Sequence, residues 1–340
     1  MSVPITFNRS LRHLNSFGVD VSASSFVEVK HPDDFLALRE ERFYGKAEKL
    51  ILGGGSNILL SRDFPGLVIK NSIPGIEVLQ EDEDHVRLCA GAGEVWHTFV
   101  LYCVERGYGG VENLSLIPGQ VGAAPMQNIG AYGVELESTC EQVEALHLIT
   151  GEAVRFSRQE CAFGYRDSIF KNRYKGQFLI TAVTFRLFKK PRFETSYGDL
   201  RRTLDAMGVT EVSVKAVSDA VIRIRSSKLP DPSRMGNAGS FFKNPVLSLA
   251  RFRRLATVHP EMPHYPQPSG DVKVPAAWLI EQCGWKGRRL GRAGVHEAHA
   301  LVLVNRGGAT GIEILQLADA IRASVRQRFE IDLIPEVNII

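Results

Sequence analysis

IPGQVGAAPMQNIGAYG, residues 117–133, is a long run of small residues that matches neither a helix nor a strand pattern. It contains four glycines and three alanines, yet Ile117, Val121, Met126 and Ile129 are apolar enough to require burial. A loop of this length inside a compact domain is usually either functional or disordered, and the apolar residues argue against disorder. We therefore expect an ordered loop whose backbone wraps closely around a ligand.

A second glycine-rich loop, LGGGSN, lies between two apolar, strand-like segments and contains Gly53, Gly55, Ser56 and Asn57. Its glycines allow positive φ angles and close backbone approach, so the loop can present N–H groups to a phosphate. An ordinary glycine turn explains it equally well, and it is not the G-x-G-x-x-G fingerprint. Two loops of this kind in one region favour a dinucleotide ligand.

Length and composition place the chain among globular proteins of two or three domains. It has 340 residues, of which 44% are hydrophobic and 23% charged, and its net charge is only +3. The basic residues are spread along the chain, which argues against a nucleic-acid partner. No segment resembles a signal peptide or a membrane span, so we expect a cytoplasmic protein without a membrane partner.

The spacing of cysteines and histidines predicts neither disulfides nor a metal site. Five cysteines are scattered without a C-x-x-C pair, which suits a reducing compartment. His296 and His299 are three residues apart, but no third ligand accompanies them, so we expect no bound metal.

Apolar periodicity predicts alternating strands and helices, with a domain boundary at the LPDP segment, where prolines interrupt a helical pattern. A helix is predicted from His31 to about Phe43, and another over residues 311–329. The final segment, EIDLIPEVNII, is strand-like and is expected to return to an earlier sheet. The apolar face predicted for the helix at 311–329 consists of Ile312, Leu315, Ala318, Ile321, Val325 and Phe329.

Ser240 lies in GNAGSFFKNP, between Gly239 and two phenylalanines. A serine there can be an ordinary turn residue that satisfies a backbone group. It can also be a reactive hydroxyl in a pocket from which aromatic rings exclude water.

Other polar residues have similar alternatives. Arg166 in FGYRDSIFK suits a bidentate clamp on a carboxylate, or an ion pair with Asp167. Glu336 in a terminal apolar strand is either functional or a strand-end residue that faces water. Tyr197 in TSYGDL and Lys228 in SSKLPDP could contact a phosphate, although packing and solvation are the ordinary explanations.

Seven motifs, taken in order, resemble those of UDP-N-acetylenolpyruvoylglucosamine reductases of the longer subtype. They are ILGGGSN, ENLSLIPGQVGAAPMQNIGAYGVE, FGYRDSIFK, YGDL, KLPDP, GNAGSFFKNP and PEV. The resemblance extends from about Asn15 to the C-terminus. It implies an NADPH-dependent flavoenzyme with non-covalent FAD. The implied reaction reduces the enolpyruvyl ether of UDP-N-acetylglucosamine-enolpyruvate to UDP-N-acetylmuramate, in peptidoglycan precursor synthesis.

The same resemblance implies an α+β fold with an FAD-binding domain of the vanillyl-alcohol-oxidase (PCMH) type. That domain, residues 1–225, would consist of two α/β subdomains divided near residues 70–75. A C-terminal α+β substrate domain would occupy residues 226–330, and residues 331–340 would form a strand returning toward the FAD domain. The partners would be small molecules, and we expect a monomer.

Site roles also follow from the resemblance. Ser240 would donate a proton to the substrate, Arg166 would pair with its carboxylate, and Glu336 would hold the enol-like intermediate or its proton. Tyr197, Lys228, Asn244 and Lys286 would bind the diphosphate and sugar. His299 stands where the family usually has glutamine. The residues implied to line the flavin are Gly53, Gly55, Ser56, Asn57, Pro118, Gly119, Gly122, Ala123, Asn128 and Gly130.

Two other functions remain open on the sequence. An FAD oxidase of the same fold, acting on an alcohol or hydroxy acid, would react fast with oxygen and need no proton from Ser240. A non-catalytic nucleotide-sugar sensor would bind UDP-sugars without oxidising NADPH.

Overall fold

The structure, a computed structural model, describes residues 3–340. The chain forms two compact units, and it passes between them several times along the sequence. Within the described residues, unit 1 comprises residues 3–9, Ala23–Gly55 and Phe64–Ser227, and unit 2 comprises Ser10–Ser22, Ser56–Asp63 and Lys228–Ile340. Among residues 3–340, no helix combines the length and the apolar character needed to cross a membrane.

Unit 1 begins with a parallel β-α-β arrangement. The strands Ser22–Val29 and Lys49–Leu52 both pair in parallel with Phe64–Asn71. The helix Pro32–Arg39 connects the first two of these strands in sequence. Thr6–Ser10 is an edge strand of the same four-stranded sheet.

A reciprocal capping box between His31 and Asp34 fixes the start of this helix. The helix ends at Arg39, four residues before the predicted end at Phe43. Phe35 and Leu38 are its buried residues, and they pack in one hydrophobic cluster with the adjacent strands.

The second sheet of unit 1 has five antiparallel strands. The helix Trp96–Glu105 packs in the same hydrophobic cluster as this sheet, and the Phe99 and Phe185 ring centroids are 4.6 Å apart. Trp96 also donates its indole N–H to Leu114 O at 2.9 Å, which anchors the chain just before the glycine-rich loop. In sheet order the strands are Ala153–Ser157, Cys140–His147, Phe178–Phe188, His85–Gly91 and Ile76–Glu81.

The glycine-rich segment is more regular than the sequence predicted. Val121 is fully buried and Ile117 and Ile129 are partly buried, but Met126 is 37% exposed, so its predicted burial was wrong. The segment contains the 3₁₀ turns Val121–Ala123 and Pro125–Gln127 and the short strand Gly130–Ala131, which pairs with Val134–Glu135 just after it; another 3₁₀ turn, Glu112–Leu114, precedes it.

Two helices, Leu200–Ala206 and Val214–Lys228, share a third hydrophobic cluster. The longer helix is tied to the start of the glycine-rich segment, because the buried hydroxyls of Ser115 and Ser218 are 2.8 Å apart. This bond places the helix next to the loop.

Unit 2 is built on a four-stranded antiparallel sheet in the order Gly236–Ser240, Val302–Asn305, Ala293–Val295 and Arg289–Leu290. A smaller antiparallel sheet consists of Val246–Leu247, Val272–Lys273 and Tyr265–Pro266. The helices of this unit are Leu249–Val258, Ala276–Gln282 and Gly311–Phe329. The C-terminal strand Asn338–Ile339 pairs in parallel with Ile58–Leu59, so most of the predicted terminal strand is irregular.

The helix Gly311–Phe329 forms at the predicted bounds, and its capping box joins Thr310 and Glu313. Its buried face differs from the prediction: Ile312 is 53% exposed and Leu315 only partly buried, while Ile314 and Leu317 are buried instead. The predicted stripe was therefore wrong at its N-terminal end and right from Ala318 onward, at Ala318, Ile321, Val325 and Phe329.

Candidate active site

The two glycine-rich loops lie against each other in unit 1. A methyl group on Gly54 would come within 3.0 Å of the Gly119 Cα, and one on Gly53 within 3.3 Å of the Gln120 Oε1. Glycine is therefore favoured at Gly54, because the two backbones approach closely enough that a side chain would displace one of them. The backbone N–H groups of Gly54 and Gly55 have no acceptor among residues 3–340, so they are available to a ligand.

Gln120 holds this contact in place. Its Nε2 donates to Gly93 O at 2.7 Å, and its Oε1 accepts from Lys70 Nζ at 3.0 Å. Burial lowers the pKa of Lys70, with the Glu28 carboxylate opposing that shift. The sequence analysis did not single out Gln120, because a glutamine between glycines carries no chemical signature of its own.

The loop backbone is unusual. Leu116, Asn128 and Tyr132 all have left-handed φ angles, of 58°, 46° and 47°. Each such residue costs about 1–3 kcal/mol unless the surrounding structure enforces it, and such residues cluster at ligand sites. Three within 17 residues indicate a loop shaped for binding, as the small residues predicted.

Asn128 enforces part of that shape. Its Nδ2 donates to the Glu135 Oε2 at 2.9 Å and to Gly164 O at 3.2 Å, and its Oδ1 accepts from the Glu137 N–H at 3.0 Å. The side chain is fully buried and fully used. Asn128 therefore contributes to a ligand site through the loop conformation.

Arg166 lies at the far end of the same loop. Its Nη2 donates to Gly130 O at 2.7 Å, and its own φ is 54°. The Asp167 carboxylate accepts from Asn172 Nδ2 at 2.9 Å. The loop backbone thus holds the Arg166 side chain through Gly130 O.

Tyr197 lies close to Gly133, at the same end of the loop that Arg166 contacts. A methyl group on Gly133 would come within 3.4 Å of the Tyr197 Cβ. Tyr197 is 49% exposed. The pKa of Tyr132 is raised mainly by burial, and the charge of Tyr197 adds to that rise. A phenol in this position is open to a ligand.

In unit 2, Ser240 ends the strand Gly236–Ser240 just after a register shift in its pairing. Gly239 has a φ of 68°, and a methyl group there would touch nothing within 4 Å. The glycine is therefore favoured by its backbone angle. The buried Asn237 fixes the turn, because its Oδ1 accepts the Gly239 N–H at 2.9 Å.

Glu336 lies beside Ser240 on a neighbouring segment. The Glu336 N–H donates to Phe241 O at 2.8 Å, and Phe242 forms a bridge with Pro335. Phe241 and Phe242 are 0% and 1% exposed. Unit 2 thus places the backbone of Glu336 against Phe241, the residue after Ser240, next to two buried rings.

Asn57 supports this arrangement from the LGGGSN loop. Its Nδ2 donates to Glu336 O at 3.4 Å, and its own O accepts from the Asn338 N–H at 3.1 Å. The segment that was predicted only to line a flavin therefore also positions the backbone of Glu336.

Ser240 Oγ has no hydrogen-bond partner among the residues from 3 to 340, and it is not enclosed by protein. The turn-serine alternative required the hydroxyl to satisfy a backbone group. The free hydroxyl instead favours its availability to a ligand.

The remaining predicted substrate residues in unit 2 have mixed surroundings. Asn244 accepts the Ala276 N–H at 2.9 Å and so caps the helix Ala276–Gln282, which leaves its Nδ2 for another partner. Lys286 is ion-paired with Glu281 at 2.8 Å.

His299 lies close to Lys228 and Lys286. Burial, followed by the positive charge of Lys228, lowers the pKa of His299, and His296 and Lys286 act in the same direction while Glu281 opposes them. Its Nδ1 accepts the Leu301 N–H at 3.3 Å, so the neutral ring carries its proton on Nε2. A neutral histidine with an Nε2 donor can replace a glutamine amide.

Comparisons with known proteins give the class of this site. Residues 24–157 match a family described as an FAD-binding domain, and residues 231–340 match one described as the UDP-N-acetylenolpyruvoylglucosamine reductase C-terminal domain. With the paired glycine loops, these matches define an FAD-dependent oxidoreductase. The α+β fold with an FAD-binding domain that the sequence predicted is confirmed.

Relatives then identify the family. A UDP-N-acetylenolpyruvoylglucosamine reductase from Amoebophilus asiaticus is 51% identical over 98% of both chains, and one from Burkholderia ambifaria is 50% identical over 95% of this chain and 93% of its own. A solved structure of such a reductase from Thermus caldophilus covers 100% of this chain and 99% of its own, with 25% identity and a TM-score of 0.67. The chain belongs to the UDP-N-acetylenolpyruvoylglucosamine reductase family.

The paired loops fit the FAD that this family requires. The available N–H groups of Gly54 and Gly55 suit a phosphate, and the close approach of Gly54 and Gly119 leaves no side chain in the way. Gly122 packs against Ala92, because a methyl group on Gly122 would come within 2.5 Å of the Ala92 Cβ.

Gly122→Ala is therefore expected to displace the loop. Overpacking of this kind costs about 1–3 kcal/mol, and we expect the dissociation constant for FAD to rise at least about tenfold, since 1.4 kcal/mol corresponds to a factor of ten. Flavin fluorescence titration and thermal unfolding measure both effects. Gly45→Ala is the control, because a methyl group there meets nothing within 4 Å. Equal FAD affinity in the two variants would remove Gly122 from the loop's architecture.

His299→Gln is expected to flatten the acid dependence of stability. Because the pKa of His299 is lowered in the folded protein, the unfolded chain binds a proton more readily, so stability falls as the pH drops below the ordinary histidine value of about 6.5. Glutamine does not titrate. Urea unfolding at pH 8 and pH 5 should therefore show a smaller loss for the variant than for the wild type. An equal loss would contradict the buried, neutral state of His299.

Proposed function

We propose that this chain is the NADPH- and FAD-dependent reductase that converts UDP-N-acetylglucosamine-enolpyruvate to UDP-N-acetylmuramate in peptidoglycan precursor synthesis. The observation that carries the proposal is the identity of about half of all residues, over nearly the whole chain, with reductases of that name. The paired glycine loops support it, as does the backbone bond of Glu336 to Phe241, the residue after Ser240.

Non-covalently bound FAD would accept a hydride from NADPH and deliver it to the terminal carbon of the enolpyruvyl group. The backbone of the two glycine loops would hold it, with Pro118, Gly119 and Ala123 lining one side. NADPH and substrate would use the same pocket in turn, which explains the absence of a G-x-G-x-x-G sequence.

Arg166 would bind the carboxylate of the enolpyruvyl group. Its Nη2 is held by Gly130 O, so its remaining N–H groups keep a fixed direction. As the hydride adds, negative charge spreads into that carboxylate, and a preorganised guanidinium stabilises the charge without rearranging.

Ser240 would supply the proton. A hydroxyl is a weak acid, but a carbanion next to a carboxylate is a strong base, so the transfer is favourable. The carbanion would take the Ser240 proton, and the serine alkoxide would regain a proton from water once the product has left. Glu336, on the neighbouring segment, would bond to the enol-like intermediate. Phe241 and Phe242 would limit competing protonation by water.

The cationic group around His299 would bind the UDP diphosphate. Lys228 and Lys286 supply charge, and the Nε2 of neutral His299 supplies one donor. Asn244 and Tyr197 would add polar contacts. We further propose that the protein works as a monomer in the cytoplasm, where NADPH and nucleotide sugars are found.

The test is NADPH oxidation by the purified, FAD-loaded protein. We expect oxidation that depends on UDP-N-acetylglucosamine-enolpyruvate and a product two hydrogens heavier by mass spectrometry. UDP-N-acetylglucosamine, which lacks the double bond, is the control. Fast oxygen consumption with an alcohol or hydroxy acid would favour the oxidase, and UDP-sugar binding without NADPH oxidation would favour the sensor.

A further inference from the structure

Lys70 is a cation at the point where the two glycine-rich loops meet, and none of the roles above includes it. Its ammonium donates to the Gln120 Oε1 at 3.0 Å and to Asn71 O at 3.3 Å. A methyl group on Gly53 would come within 3.3 Å of the same Gln120 oxygen. The Gln120 amide therefore lies between the Lys70 charge and the first glycine of the LGGGSN loop.

Groups at both ends of the Gln120 amide hold it in one orientation. Its Nε2 donates to Gly93 O at 2.7 Å, so its oxygen faces Lys70. Gln120 is buried, and its backbone pairs with Val95 in an isolated bridge. A reversed amide would set its NH₂ group against the ammonium and its oxygen against Gly93 O, and both contacts would be repulsive. The position of the Lys70 ammonium relative to the loops is therefore fixed.

The charge of Lys70 has no close counter-ion in the protein. Among residues 3–340, no carboxylate forms an ion pair with it. Glu28 is its register partner on the neighbouring parallel strand, but the Glu28 carboxylate is 3.6 Å from Lys30 Nζ. Burial lowers the pKa of Lys70, and the charge of Glu28 opposes only part of that shift. A partly desolvated cation without a close anion is costly, and an anionic ligand nearby would offset that cost.

The loops beside Lys70 have the features of a phosphate site but contain no basic residue. Gly54 and Gly55 offer backbone N–H groups that have no acceptor within the described chain, residues 3–340. Neither LGGGSN nor residues 117–133 include a lysine, an arginine or a histidine. Backbone dipoles attract a phosphate, but they do not neutralise its charge. Lys70 supplies a full positive charge where the loops meet.

We propose that Lys70 is a positioning residue for FAD, whose charge, held by Gln120 behind the junction of the glycine loops, strengthens binding of the FAD diphosphate. The proposal rests on the proposed function insofar as FAD occupies these loops. The charge is unfavourable until FAD is bound. Removing it should therefore weaken FAD binding without weakening the fold.

The test compares FAD affinity with the stability of the FAD-free chain in Lys70→Gln, which keeps a donor for the Gln120 oxygen but removes the charge. Flavin fluorescence titration should show an FAD dissociation constant raised about tenfold or more, equivalent to ~1.4 kcal/mol. Urea unfolding without FAD should show stability equal to or above that of the wild type, since neutralising a partly buried cation removes a desolvation cost. Lys46→Gln, at an exposed lysine of the same unit, is the control and should match the wild type in both measurements.

Equal FAD affinity in the Lys70 and Lys46 variants would overturn the proposal. Weaker FAD binding with an equal loss of stability in the FAD-free chain would also overturn it, because Lys70 would then serve the fold alone. If Lys70→Gln does not fold, Lys70→Met replaces it, with the same expectation. Failure of both variants to fold would likewise assign Lys70 to the fold and reject its role toward FAD.

The outcome for this inference is separable from that for the proposed function. A wild type that binds FAD with this dependence on Lys70, but does not reduce the enolpyruvyl substrate, would support the inference and reject the proposed function. A wild type that reduces the substrate, with an FAD affinity independent of Lys70, would do the reverse. A wild type that does not bind FAD would overturn both.

Discussion

Ser240→Ala is expected to leave the reduction of bound flavin by NADPH unchanged and to slow the reoxidation by UDP-N-acetylglucosamine-enolpyruvate about 10²–10⁴-fold, the usual contribution of a positioned acid. The two half-reactions separate because only the second needs a proton on carbon. Anaerobic stopped-flow absorbance of the flavin measures each rate separately.

Replacing Ser240 with alanine should leave the surrounding structure unchanged. Ser240 Oγ has no hydrogen-bond partner within residues 3–340, so its removal breaks no hydrogen bond. The turn is held by Asn237 and by the φ of Gly239, neither of which depends on the hydroxyl. We therefore expect unchanged FAD content and unchanged thermal stability.

Ser24→Ala, which removes an exposed hydroxyl from a strand, is the control, and both of its half-reactions should match the wild type. A Ser240→Ala protein that is reoxidised at the wild-type rate would remove Ser240 from the mechanism. The proton would then have to come from another group, with Glu336 the next candidate.

Arg166→Lys is expected to lower kcat about 10²–10³-fold, which is the cost of losing one preorganised donor at a developing charge. Lysine keeps the charge but loses the planar fork, so it cannot bind Gly130 O and hold a carboxylate with fixed geometry. Because the lost interaction strengthens as charge develops, kcat should fall more than KM rises.

Steady-state NADPH oxidation gives kcat and KM for this variant. Arg158→Lys, at an exposed position of the same unit, is the control and should match the wild type. FAD content and thermal unfolding check that the left-handed backbone at residue 166 is retained. A rise in KM at constant kcat would mean that Arg166 only anchors the substrate.

Much of the fold was readable because local patterns agree with tertiary packing. The helix Gly311–Phe329 formed where periodicity placed it. The predicted helix face was partly wrong in the first turns, where Ile312 is exposed and Ile314 and Leu317 are buried. Periodicity does not specify which of several apolar residues begins the stripe.

The candidate site was readable where composition is unusual. Glycines mark the two loops that meet at Gly54 and Gly119, and a lone serine marks Ser240. Nothing in the sequence pattern indicated Gln120 or Asn237. Gln120 acts through Gly93 and Lys70, which are far from it in sequence, and Asn237 acts through the local turn at Gly239. Their residue types are common, so only the three-dimensional contacts distinguish them.

The sequence motifs predicted the roles of individual residues less well than they predicted the positions of those residues in the site. Asn128 was singled out as a flavin contact, but its side-chain hydrogen bonds are all made to other protein groups. Asn57 was singled out for the same reason, and it also positions the backbone of Glu336. A motif identifies which positions matter, whereas the hydrogen bonds identify how they act.

The measurement that tests the central claim most directly is an anaerobic visible spectrum of the wild-type protein, first with NADPH and then with UDP-N-acetylglucosamine-enolpyruvate. We predict a yellow protein that bleaches on adding NADPH and regains its colour on adding the substrate. A protein that bleaches but does not recover would contradict the substrate, and one that stays colourless after FAD is added would contradict the flavin site itself.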